Sequence, residues 1–208
     1  HSTSRRQRQM CIRDRTSTYT MAPLMMGLAF CATPVVRLVL TDKWLPCVPF
    51  LRIFCITYMF YPIHTANLNA IKAMGRSDLF LKLEIAKKIV GMALLLSTMW
   101  FGVMAMAYSL LVSSVLSQII NSWPNRKLLN YGYLEQLKDI LPGIALAVFM
   151  GCCVNIVTLF QLSNVVTLLI QIPMGAVIYI ATSSLLHLES FEYLMDMTRP
   201  MVRKIIRK

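Results

Sequence analysis

Long apolar stretches separated by short polar or basic connections run through the chain from residue 19 to residue 186. Four come close to the ~20 apolar residues needed to cross ~30 Å of hydrocarbon, and two more qualify once polar residues facing a bundle interior are allowed. The pattern predicts spans near 19–40, 48–70, 85–101, 103–120, 140–160 and 165–186. Each must be a helix, because a span has no water to satisfy its backbone amides, and the period-2 alternation of a barrel strand is absent. The expected fold class is an all-α membrane protein with six transmembrane helices.

The connections carry their own signals. Pro23 and Pro34 interrupt the first span and Pro62 the second, marking kinks. Met74-Gly75-Arg76-Ser77-Asp78 has the composition of a turn. Asp78 is expected to cap a helix that opens at Leu79 and runs along the cytoplasmic surface before entering the membrane. Phe101-Gly102 predicts a tight hairpin, and Gln161-Leu162-Ser163-Asn164 an equally short turn between the last two spans. Beyond them, Phe191, Leu194, Met195, Met201, Val202, Ile205 and Ile206 recur at roughly helical spacing beside Arg199, Arg203, Lys204, Arg207 and Lys208. That pattern fits a basic amphipathic helix in an anionic headgroup layer, with a disordered basic tail as the alternative.

Composition agrees. Hydrophobic residues make up 57% and charged residues 14%, too little ionic surface for a soluble domain, where about 25% is usual. The net charge of +12 reports topology, because the basic residues sit in blocks between apolar runs instead of sharing one face as in a nucleic-acid binder. Of the 21 Lys and Arg, 18 lie in the terminal segments and the connections between spans two and three and spans four and five; the other side keeps Arg37, Lys43 and Arg52. The positive-inside rule then makes both termini cytoplasmic and turns Thr41-Asp42-Lys43-Trp44 outward. Six cysteines show no metal-site spacing and read as small apolar residues.

Arg6-Gln7-Arg8-Gln9-Met10-Cys11-Ile12-Arg13-Asp14-Arg15 resembles a translated sequencing adapter, and residues 1–15 are set aside as a non-native or unstructured basic segment. A genuine basic juxtamembrane segment is the alternative. With no initiator methionine, the chain is expected to begin within a longer gene. The remaining organisation is four helices over 16–120, a cytoplasmic connector over 121–139, an appended helix pair over 140–187 and the basic tail over 188–208.

No Walker A, GxSxG, HExxH or metal cluster is present, so neither an enzyme nor a cofactor is expected. The informative residues are polar ones inside spans. Tyr58, Tyr61, Thr65 and Asn69 recur at spacings of three and four, with His64 and Asn67 close to the same side. They read either as a substrate path or as interhelical hydrogen bonding. Arg37 and Arg52 lie near the outer ends of spans one and two. They read either as snorkelling side chains or as donors to an anionic diphosphate lipid. The candidate path is thus Arg37, Arg52, Tyr61, His64, Asn67 and Asn69. Ser113, Ser114, Ser117, Gln118, Asn155, Thr158, Thr167 and Gln171 read mostly as packing residues.

Thr33-Pro34 followed by Leu40-Thr41-Asp42-Lys43-Trp44-Leu45-Pro46 resembles the TP.....LT.KWLP signature of bacterial polysaccharide flippases. The run from Asn67-Leu68-Asn69 through Met74-Gly75-Arg76-Ser77-Asp78 to Lys87-Lys88 is also similar to these proteins. Together they resemble the C-terminal half of lipopolysaccharide exporters of the Wzx-like branch of the MOP superfamily, which also holds the MATE exporters. The resemblance implies a partial MATE-like bundle in the bacterial inner membrane that flips undecaprenyl-diphosphate-linked oligosaccharide. It further implies contact with membrane lipids, with a polysaccharide polymerase and glycosyltransferases as further partners, and no nucleic acid.

Two other readings compete. A MATE-type drug or metabolite antiporter would be expected to carry acidic residues inside spans, where none of the nine Asp and Glu falls here. A non-transporting scaffold would recruit glycosyltransferases through its basic face.

Overall fold

The computed structural model describes residues 2–129, 132–160, 162–186, 188, 191 and 193–195. The described residues form eight α-helices joined by short 3₁₀ turns, with no strand among them. They are α1 (Ser2–Phe30), α2 (Ala32–Leu40), α3 (Val48–Met59), α4 (Tyr61–Ala73), α5 (Ser77–Thr98), α6 (Val103–Leu129), α7 (Tyr133–Asn155) and α8 (Asn164–Leu185).

Four stretches are long and apolar enough to cross a membrane: Asp42–Ala73, Val103–Pro124, Tyr133–Phe160 and Asn164–Leu185. A fifth arises if Thr16–Phe30 and Ala32–Leu40, bent by 69° relative to one another, are one span. Helix α5 stands outside this set. Lys82, Glu84, Lys87 and Lys88 occupy its first half, leaving a short apolar run behind them. It is one unbroken helix rather than a surface segment followed by a span. Leu169, Ile172, Val177 and Ile180 all project outward from α8, an apolar surface suited to lipid and poorly suited to water. Trp44 at one turn and Trp100 and Phe101 at the next are exposed, as aromatic residues at a headgroup boundary are.

The bend in the first apolar stretch lies at Cys31, between the two prolines. Pro34 has no N–H for the Phe30 carbonyl, and its ring crowds that carbonyl, so the ladder breaks there. On either side it is intact, with Cys31 N–H donating to Gly27 at 2.9 Å and Val35 N–H to Cys31 at 3.1 Å. Pro23 leaves α1 continuous. Pro62 separates α3 from α4 at Phe60.

Gly75 ends α4 in a Schellman motif. Its φ is +70°, and the amides of Gly75 and Arg76 return to the carbonyls of Lys72 (3.0 Å) and Ile71 (3.3 Å). The next helix starts at Ser77, so Asp78 sits in its first turn and is not the capping residue. The Leu79 N–H bonded to its carboxylate, and then the Arg76 guanidinium beside it, hold that carboxyl below the usual carboxylate range. Gly102, at φ +96°, makes the hairpin before α6.

The last two helices pack into the same core as α1 and α3. Tyr19, Ala22, Cys31, Met59, Leu146, Ala147, Met150, Val154, Leu168 and Tyr179 form one buried core drawn from α1, α3, α7 and α8. A small residue permits it: Gly151 lies under the Phe30 ring with no room for a Cβ. The expected connector over 121–139 is mostly the ends of α6 and α7. Residues 2–15 extend α1 as helix instead of forming an unstructured arm. Of the expected basic tail, residues 196–208 lie outside the described residues.

Candidate functional site

The 69° bend turns α2 away from α1 and opens a cavity of about 530 Å³, within the size range of small-ligand sites. Phe30, Thr33, Pro34 and Arg37 line it from the bend, Arg52 from α3, and Asn155, Thr158, Leu162, Asn164 and Thr167 from the turn between α7 and α8. Arg37 and Arg52, which the sequence placed only near span ends, therefore converge on one space. Each is held by its Nε: Arg37 pairs with Asp42 at 3.1 Å, and Arg52 donates to the Ala29 carbonyl at 3.2 Å. The second bond is a role that neither sequence reading anticipated. Arg52 takes a carbonyl at the broken end of α1 and so braces the bend.

Asn155, Thr158 and Thr167, read from sequence as packing residues, line the cavity, and Thr33 and Asn164 join them. A signal was available. Asn155 and Thr158, and again Asn164 and Thr167, are polar pairs three residues apart flanking a single turn, and helical spacing puts each pair on one face. Gln171, one turn further along α8, is buried and donates to the Val154 carbonyl at 3.1 Å.

The polar face expected on the second span divides. Tyr61 and Asn69 are exposed, and His64 is partly buried. Tyr58 and Tyr61 stay together outside, their ring centroids 6.2 Å apart. Asn67 is fully buried and knits α4 to α6 and α7. It exchanges hydrogen bonds with Gln136, donating at 2.8 Å and accepting at 3.0 Å, and donates to Ser122 at 3.1 Å. This knot lies about 20 Å along the same bent helical stretch from Arg52, at 1.5 Å per residue. The six candidate residues therefore occupy three places: Arg37 and Arg52 at the cavity, Tyr61, His64 and Asn69 along α4, and Asn67 inside a helix junction.

A second cavity, about 560 Å³, lies at the junction of α6 and α7 and includes Ser122, Trp123, Arg126, Tyr133 and Glu135. Glu135 accepts from the Gly132 N–H at 3.0 Å, closing the start of α7. Among the described residues, no group of three or more His, Cys, Asp or Glu is placed to hold a metal.

Residues 5–49 match the model of a family described as polysaccharide biosynthesis protein. The match covers α1 from residue 5, the bend, Arg37 and the Lys43-Trp44-Leu45-Pro46 turn, and it includes much of the basic block set aside above. The run from Asn67 to Lys88 lies beyond it. No curated protein and no solved structure matches the chain. Together with the apolar helices, this supports a membrane protein of the polysaccharide biosynthesis type.

Proposed function

We propose that the chain is the C-terminal part of a Wzx-like flippase that carries lipid-linked oligosaccharide across the bacterial inner membrane, with six spans and both termini in the cytoplasm. This reading counts α5, whose C-terminal part is apolar, as a sixth crossing beside the five that the bent pair and the four long stretches can provide. The observation that carries the reading is the convergence of Arg37 and Arg52, from separate helices, on a cavity whose other walls combine Thr33, Asn155, Thr158, Asn164 and Thr167 with the apolar Phe30, Pro34 and Leu162. Guanidinium groups suit phosphate, and Asn and Thr suit sugar hydroxyls, so the lining fits a glycosyl diphosphate. On this reading Tyr61, His64 and Asn69 are a separate set of polar contacts along α4.

The test uses the complete protein in a flippase-deficient strain, with surface polysaccharide normalised to the amount of protein in the membrane. Arg37→Lys should lower export several-fold, because Lys keeps the charge but loses the planar fork. Arg37→Gln should lower it further. Wild-type export from Arg37→Lys and Arg52→Lys together would leave both arginines as snorkelling or bracing groups and remove the phosphate-binding role. The 208-residue chain alone should not flip lipid in vesicles, since alternating access needs two halves moving about a shared site.

A further inference from the structure

Away from the cavity, the bundle gathers a second set of ionisable groups. Lys87 on α5 is only 8% exposed, and its ammonium meets Glu84 at 2.5 Å, one turn earlier. His64 stands on α4, which packs against α5. Its Nδ1 lies 2.9 Å from Asn121 Nδ2 on α6, and its ring is near-parallel to that of Tyr61 at 6.1 Å. Lys87 and Glu84 are the charged groups that act on the imidazole. Charges placed within a helical bundle are expensive and concentrate where ions or protons are handled.

We propose that His64, bonded to Asn121, is a proton-binding site at the junction of α4, α5 and α6. With the Asn121 amide donating to Nδ1, the ring is neutral and carries its proton on Nε2. A proton passed from hydronium to Nδ1 breaks one O–H bond, forms one N–H bond, releases a water molecule and changes Nδ1 from acceptor to donor. Asn121 must then present its oxygen. That Oδ1 is buried and has no hydrogen-bond partner among the described residues in the neutral arrangement, and a half-turn of the amide gives it one. Glu84 favours the added charge and Lys87 opposes it. Proton uptake is thereby linked to the packing of three helices. Use of that linkage to drive transport rests on the flippase reading, whereas the proton site itself does not.

The experiment is a nitrogen NMR titration of imidazole-labelled chain in lipid nanodiscs. The sequence has three histidines, His1, His64 and His187, and His64→Gln assigns the relevant signal. The His64 nitrogens should follow a one-proton curve between about pH 5 and 8. Glu84→Gln should move the midpoint to lower pH and Lys87→Gln to higher pH, each by at least about half a unit. A His64 signal that does not titrate in this window overturns the proposal, and so does a midpoint unmoved by both substitutions. Removing one member of a buried pair can disturb folding, so titration of the unaltered chain is decisive by itself. A complete protein that failed to flip lipid would leave this curve unchanged, so the two readings fail separately.

Discussion

Tyr179 donates its hydroxyl to the main-chain carbonyl of Tyr19 at 2.8 Å, and that carbonyl is the one Pro23, four residues on, cannot serve. The side chain of Tyr19 in turn donates to Ser183 at 2.5 Å, and the two tyrosine rings lie 5.0 Å apart. A backbone acceptor stranded in hydrocarbon has no water to turn to. The α8 tyrosine supplies the missing donor, which is why α1 passes through Pro23 unbroken and yet breaks at Cys31.

Tyr179→Phe should therefore destabilise the bundle by about 1–3 kcal/mol, the range for a buried acceptor left unsatisfied. In a Pro23→Ala background the same change should cost much less, because residue 23 then has an N–H for the Tyr19 carbonyl. Reversible unfolding in mixed micelles of the two single variants and the double variant measures the coupling. Equal losses with and without Pro23 would sink this account.

At Gly151, a methyl group has no space beneath the Phe30 ring. Gly151→Ala should force that ring toward the cavity it lines, with a loss of about 1–3 kcal/mol typical of overpacking. Phe30→Leu should recover part of the loss. Thermal unfolding of the single and double variants checks this, and a Gly151→Ala protein as stable as the original would show that the contact is soft.

The class of the protein and the extent of most helices were readable because long apolar runs admit few structures in lipid. Which polar residues meet was not. Asn67 and Asn69 are two positions apart, about 200° around a helix, so one must point inward when the other points out. Sequence proximity alone placed both on one side. Pro34 marked a break, but its position followed from the carbonyl it deprives, three to four residues earlier. The convergence of Arg37 with Arg52, and the packing of α7 and α8 against α1, are tertiary facts with no local pattern to announce them.

Asn67→Ala removes three hydrogen bonds at a buried helix junction and should cost about 1–3 kcal/mol. Asn69→Ala, at an exposed position, should leave stability within about 0.5 kcal/mol. If Asn67 belongs to a substrate path instead, export will fall while unfolding is unchanged, so measuring both in the same variants distinguishes the roles.

A single cysteine at Lys43, in a background without the native cysteines, should react with an impermeant thiol reagent from outside intact cells, and one at Ser77 should not. The opposite labelling pattern reverses the topology drawn from the 18 to 3 distribution of basic residues.

Asp78 makes the first turn of α5 sensitive to acid. Its carboxyl titrates below the ordinary value of 3.8 in the folded chain, so its contribution is present above that value and is lost as pH falls through the lower, folded one. Amide exchange in the first turn of α5, corrected for intrinsic rates, should rise at that point, and Asp78→Asn should show raised exchange already at neutral pH. Matching protection in the variant and the original at neutral pH would remove Asp78 as the cause.

A helix that breaks inside an apolar stretch also exposes two ends of its backbone field where one continuous helix would expose none. At the bend, the negative pole of α1 faces the Arg52 guanidinium at Ala29, and the positive pole of α2 begins at Ala32, beside the cavity walls formed by Thr33 and Pro34. Such a pole acts as roughly half an elementary charge. The broken geometry therefore sorts the two poles, tying off the negative one against an arginine and leaving the positive one at the cavity. An anion entering there would meet a field produced by the fold as well as by its two arginines.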